Sequence, residues 1–324
     1  MKRGDRFASG RLVSICALAA MLALGACGKP ETGVPATETA TEAATEATAD
    51  APAAGTADEA GLPDGAAPEE AASEAASPSA PVTSATAPAF ASALPAGGDF
   101  ARPEPSIDML TGKVSPTREA GFAPVPEALA TRAGLFGRAE AIDALTRMAD
   151  AARADGVNLK VVSAFRSFAD QKRIWEAKWA GRTKVEGGAL PETVPDPAQR
   201  ALKILEFSSM PATSRHHWGT DFDFNDLNNA WFDAGEGKAV HDWLTAHGAE
   251  YGFCQVYSPR GPERPNGYEE ERWHWSYIPI AGDWLAKYPA VVGYDHIAGF
   301  EGAGTARDID VIANYVEGIN PACR

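Results

Sequence analysis

The chain has 324 residues, 45% hydrophobic and 9% aromatic, with a formal net charge of −15 at pH 7. That length suits one large domain or two modest ones, and the acidity excludes the basic footprint of a nucleic-acid binder. Residues 29–105 hold two basic and thirteen acidic residues and no Trp or Tyr, whereas every Trp and Tyr lies after residue 174. The chain is therefore two unlike parts behind a third, short N-terminal one.

Lys2, Arg3, Arg6 and Arg11 form a positive start, and Leu12 to Leu24 form an apolar run too short to span a membrane comfortably. This reads as an export signal. It ends in Leu24-Gly25-Ala26-Cys27, which resembles a bacterial lipobox with Cys27 as the lipidated thiol. The resemblance implies a signal peptide with its attachment cysteine over residues 1–27. The competing reading is an ordinary cleaved signal with an incidental Cys27. In a Gram-negative cell, Gly28 after the cysteine favours the outer membrane by analogy.

Residues 28–105 are rich in Ala, Thr, Glu and Pro and cannot bury enough apolar area to offset chain entropy. They are expected to be a disordered tether, spanning roughly 50 Å root-mean-square as a flexible coil. The alternative is a spacer whose length carries no function.

Folded composition begins near residue 106. Ile142, Leu145, Ala149 and Ala152 recur at helical spacing, with Gly156 as the stop. Val157 to Ala164 reads as a buried strand, and Ser167 to Asp170 as a capping box opening a helix through Trp179. Asp196-Pro197 opens a helix carrying Ala201, Ile204 and Leu205. Thr220 to Asn225 alternates as a strand does. Lys238 to His247 reads as a helix, Phe253 to Tyr257 as a strand, and Trp273, Trp275 and Tyr277 as another. A last helix is expected over about Arg307 to Val316. Helices and short strands without regular βαβ alternation predict an α+β fold, as one mixed domain over residues 106–324.

Two segments carry chemistry: Ser214-Arg-His216-His217-Trp-Gly219-Thr-Asp221-Phe-Asp223 and Glu271-Arg-Trp273-His274-Trp275. Imidazole and carboxylate together suit Zn²⁺, whose catalytic sites use three protein ligands and one water. His216 in a loop and Asp223 on the next strand converge if Gly219 supplies the turn, and His274 on a distant strand closes the triad. Glu271 is close enough to reach a bound water. On a flat strand Glu271 and His274 would face opposite sides, so the strand must twist or start after Glu271. His241, His247 and His296 read as structural or surface histidines. Asp226, Asp233, Glu269 and Glu270 read as solvated loop charges. Of Trp273 and Trp275, one is expected in the core.

The first segment resembles the Ser-x-His-x-x-Gly-x-Ala-x-Asp signature of the VanY-type D-Ala-D-Ala carboxypeptidases, and the second their Glu-x-Trp-His. Ser163-Ala-Phe-Arg166-Ser167 with Gln171 is similar to their Ser-Gly-Tyr-Arg-Ser…Gln. The resemblance covers roughly residues 135–290. It implies a small antiparallel sheet carrying a zinc site, flanked by helices in the Hedgehog/DD-peptidase manner. It implies one Zn²⁺ per chain held by His216, Asp223 and His274, with Glu271 as general base and acid. Arg166, Gln171 and Ser214 would be substrate-binding, Arg166 near either the terminal carboxylate or the developing oxyanion. The implied substrate is the peptidoglycan stem peptide, trimmed of its C-terminal D-Ala at a lipid-anchored position in the cell envelope. In a Gram-negative cell that position is the outer membrane, facing the periplasm. Competing readings are an L,D-carboxypeptidase or endopeptidase of the same fold, or a catalytically silent zinc- or wall-binding lipoprotein.

The chain departs from the pattern where Asp221 replaces Ala, as a neighbour of His216 or a solvated charge at the site rim, and where Ala164 and Phe165 replace Gly and Tyr. The match to Ser214 and Asp223 favours His216 as the ligand, with His217 facing away. Cys254 and Cys323 are the thiols of the folded part and would pair outside the cytoplasm; the alternative is two free thiols.

Overall fold

A computed structural model describes residue 102, residues 104–185 and residues 188–324. The signal peptide, Cys27 and nearly all of the expected tether lie outside the described residues. Helices and strands follow in the order α1 (Ile107–Leu110), β1 (Phe122–Pro124), β2 (Phe136–Arg138), α2 (Ala139–Ala154), β3 (Val161–Ser163), α3 (Phe168–Trp179), α4 (Leu190–Thr193) and α5 (Pro197–Ile204). Then come β4 (Asp221–Phe224), α6 (Gly235–His247), β5 (Phe253–Gln255), β6 (His274–Tyr277), α7 (Ile278–Val291) and α8 (Thr305–Asp308). Among the described residues no helix is long and apolar enough to cross a membrane.

The site is carried by a four-stranded antiparallel sheet in the order β3-β4-β6-β5. Every residue of β4 and β6 is buried, so alternation sorts residues between two buried faces rather than between core and water. Phe222 and Phe224 take the apolar face, and Phe222 meets Phe253 with ring centroids 6.0 Å apart. Asp221 and Asp223 take the other face. Helix α2 buries Ile142, Leu145, Met148, Ala149 and Ala152. Each large apolar side chain so buried contributes about 1.5–3 kcal/mol of transfer free energy.

The β1–β2 hairpin was not expected from the sequence. It buttresses the site: Arg138 donates its backbone N–H to Gly219 O at 2.7 Å and its Nε–H to Trp218 O at 2.9 Å. The strand expected over Val157 to Ala164 is only three residues, because Lys160 pairs instead with Asn225, whose φ of 61° ends the ladder. The expected last helix is broken: α8 ends at Asp308, Asp310 takes φ 47°, and Ile312–Val316 forms a π-helical turn. A disulfide joins Cys254 to Cys323, with Cα atoms 5.7 Å apart, and ties the C-terminus to β5.

Candidate metal centre and active-site cleft

Ser214 precedes a single 3-10 turn, Arg215–Trp218, which Gly219 closes in the left-handed region at φ 73°. A Cβ at Gly219 would lie 2.5 Å from the Phe122 ring, so the reversal into β4 requires glycine on both steric counts. The turn is laced to the segment after β3. Arg166 donates its N–H to His216 O at 3.0 Å, and His217 Nδ1–H donates to Arg166 O at 2.7 Å. His217 Nε2 accepts from Ala212 N–H at 3.2 Å. Both its nitrogens are thus used by backbone, and burial pushes its pKa down to about 3. His217 is a neutral structural pin facing away from the cleft.

His216 donates Nδ1–H to Ala164 O at 2.9 Å, which fixes its tautomer and leaves the Nε2 lone pair toward the site. That Nε2 lies 3.3 Å from Asp223 Oδ2. The β4–β6 register sets Asp223 directly opposite His274. His274 Nδ1 lies 3.2 Å from Asp223 Oδ1 and 3.4 Å from Glu271 Oε2, while its Nε2–H donates to Asp221 Oδ1 at 3.0 Å. One ligand atom from each of His216, Asp223 and His274 falls within 4.8 Å of the others, a grouping able to hold a metal ion.

The donor set fits such an ion. Asp223 Oδ1 is buried and makes no hydrogen bond. Burial alone would lower the His274 pKa, but the surrounding carboxylates of Asp221, Asp223 and Glu271 hold it well above the usual value. Three carboxylates converging on one buried imidazole are a charge pattern that a divalent cation would balance. The two imidazoles and one carboxylate match the mixed N/O preference of zinc.

Glu271 stands one turn before β6, which begins at His274, so the period-two objection to the pair does not arise. His274 N–H donates to Glu271 O at 3.3 Å, and Glu271 N–H to Tyr257 O at 2.9 Å. Burial raises the Glu271 pKa against the pull of His274. Both Glu271 and the three candidate ligands line a cleft of about 490 Å³, with Arg166 on its wall. Arg166 is clamped by Gln171 Oε1 and Ser163 Oγ, each at 2.8 Å, and its Nη2 is 3.7 Å from Asp223 Oδ2.

Three of the expected residues sit outside the cleft lining. Gln171 does not line the cleft; it is fully buried behind Arg166, with its Nε2–H donating to Ser209 O at 2.7 Å. Ser214 does not line it either, and its hydroxyl is sealed in without a partner. Asp221 is neither beside His216 nor at the rim. It is fully buried on the far side of His274, receiving Arg215 Nε–H at 2.9 Å, Thr220 Oγ1–H at 2.5 Å and Ser276 Oγ–H at 3.0 Å. Burial opposes the Asp221 charge, but Arg215 and the His274 hydrogen bond more than offset it and lower the pKa.

Trp273 lines the cleft, whereas Trp275 is buried and donates to Arg272 O at 3.0 Å. His241, His247 and His296 bond Gln255, Glu250 and Gly293 away from the site. Asp233 and Glu270 are paired to Arg272, and Glu269 to Arg260, rather than being merely solvated. Lys178, Tyr257 and Tyr268 also line the cleft, though no sequence motif pointed to them.

A buried His/Asp/His cluster beside a buried glutamate, at the floor of a cleft, defines a candidate hydrolytic metal centre. Residues 136–280 match the model of the VanY family, D-alanyl-D-alanine carboxypeptidase. YodJ of Bacillus subtilis, named as a carboxypeptidase, is 31% identical over 147 residues, 44% of this chain and 46% of its own. A D-alanyl-D-alanine carboxypeptidase of Enterococcus faecalis is 32% identical over 131 residues, 40% of this chain and 44% of its own. The matches thus span under half the length of these curated relatives. Among solved structures, a D,D-pentapeptidase VanY in complex with Zn(II) is 26% identical with a TM-score of 0.37, covering 50% of this chain and 87% of that one.

Proposed function

We propose that this protein is a zinc-dependent carboxypeptidase that removes the C-terminal D-Ala of peptidoglycan stem peptides. The observation that carries the reading is the convergence of His216 Nε2, Asp223 and His274 Nδ1 within 4.8 Å, next to buried Glu271. Retention of Glu271 favours catalysis over mere zinc storage, because holding the metal does not need it. The relatives' names supply the substrate class, and the mixed imidazole and carboxylate donor set supports the choice of metal.

Zinc held by the three ligands would lower the pKa of a coordinated water to about 7 and polarise the scissile carbonyl. Glu271 accepts the proton from the attacking water and returns it to the leaving amine as the C–N bond breaks. Its raised pKa suits both directions of transfer. Arg166, rigid between Gln171 and Ser163, offers its remaining donors to the substrate's oxygens. On this reading the N-terminal signal exports the enzyme and Cys27 anchors it by lipid, on the outer membrane in a Gram-negative cell. The Cys254–Cys323 disulfide supports an oxidising compartment.

Glu271→Gln tests the mechanism. The variant should keep one zinc per chain and its fold, while turnover falls by at least ~10²–10⁴-fold. A fully active, zinc-loaded Glu271→Gln protein would contradict it.

A further inference from the structure

The cleft contains a cation that lies in none of the three motifs. Lys178, in the last turn of α3, lines the cleft together with Arg166, Ser208 and Glu271. Its Nζ donates to Ser208 Oγ at 2.5 Å, and no carboxylate pairs with it among the described residues. Burial lowers its pKa, Glu271 favours its charge and Arg166 opposes it. An ammonium has three donors, so two are left facing the cleft, and half-buried donors left unmet are unfavourable.

Tyr268 forms the neighbouring wall. It lines the same cleft, with its enclosed hydroxyl held against Ser209 and Thr213. Glu269 N–H donates to Glu206 O at 2.9 Å, which runs Tyr268 alongside the chain leading to Ser208. The Lys178 ammonium therefore lies on this wall with donors to spare beyond Ser208 and no carboxylate paired to it among the described residues.

Arg166 occupies a different place. It touches Asp223 and is tied to the start of α3, beside the candidate metal ligands where the reacting carbonyl must lie. Lys178 is near the other end of α3, and each helical residue advances about 1.5 Å. Its charge enters the cleft from that end, within electrostatic reach of both Arg166 and Glu271.

We propose that Lys178, with Ser208, forms a subsite for a carboxylate of the peptide substrate, leaving Arg166 to the reacting carbonyl. This rests on the carboxypeptidase reading. Two carboxylates share the chemistry: the substrate's free C-terminus, and an acidic side chain next to the scissile bond.

The test is steady-state kinetics of the full-length, zinc-loaded protein on three synthetic peptides. One ends in D-Ala-D-Ala with neutral side chains, one is its C-terminal amide, and one carries a carboxylate side chain before the scissile bond. Lys178→Met should raise KM on a carboxylate-bearing peptide roughly ten- to a hundredfold, the loss of one charge-assisted hydrogen bond, with kcat little changed. Lys178→Arg should restore most of it. A penalty on both acids that vanishes on the amide assigns the C-terminus; a penalty confined to the third peptide assigns the side chain. Equal penalties on all three peptides, or an unchanged KM in Lys178→Met, would overturn the subsite alone. A wild type that cleaves none of them refutes the carboxypeptidase reading, and the subsite with it.

Discussion

Asp221 is the residue at which this chain departs most informatively from the signature it resembles. Its carboxylate joins Arg215 to His274 in an interior where all three side chains are almost fully buried. Arg215 Nη2–H also donates to Ser276 Oγ at 2.6 Å, so the group is a closed network rather than an isolated pair. A carboxylate that receives the remote N–H of a ligating histidine fixes the ring and raises its basicity toward the metal. Asp221→Asn leaves Arg215 buried without its countercharge. It should cost about 3 kcal/mol of stability and weaken zinc binding by roughly 10–100-fold. Chemical denaturation and competition with a chromogenic chelator would measure both, and unchanged zinc affinity in the Asp221→Asn variant would dismiss the link to His274. The sequence exposed Asp221 as an oddity but not its partner. Alternation puts Asp221 and Asp223 on one face of β4, yet only the antiparallel register reveals that His274 lies between them.

At the scale of elements, legibility followed local signals. The capping Ser167, whose Oγ accepts from Asp170 N–H at 3.1 Å, and the Asp196-Pro197 start both mark real helix beginnings. Gly156 stops α2 in the left-handed region at φ 81°. What failed depends on distant partners. The β1–β2 hairpin has three-residue strands with no alternation to read, and the final helix breaks where Asn314 Nδ2–H caps Ile309 O at 2.8 Å. Helix α7 went unread because it begins at Ile278, immediately after a strand, and carries Pro289 in its last turn. It nevertheless pins the site: Tyr288 donates its hydroxyl to Ala212 O at 2.8 Å, just ahead of the ligand turn. Lys178 was readable in principle, since it shares a helix face with Gln171 and Ile174 at i, i+3 and i+7. The turn before β4 is the element most exposed to a single change. Gly219→Ala adds a left-handed penalty and a clash with Phe122, so thermal unfolding should report a loss of about 1–3 kcal/mol. Zinc affinity should fall with it, because His216 and Asp223 flank that turn. A Gly219→Ala variant that melts like the wild type would show that the turn tolerates a side chain.

At the scale of the molecule, three motifs far apart in sequence come together at one cleft, and each is placed by backbone hydrogen bonds as much as by its own side chains. Composition placed an expected domain start near residue 106, and the motifs pointed to the candidate ligands. Composition and motifs left the substrate-facing wall unread, because Lys178, Ser208 and Tyr268 meet only in the folded chain. The most direct test of the proposed function is mass spectrometry of a defined pentapeptide stem incubated with the full-length protein. The expected result is release of the single C-terminal D-Ala, no release after the protein is stripped by a chelator, and recovery on adding Zn²⁺. An intact stem, a cut at an internal bond, or undiminished release by the stripped protein would contradict it.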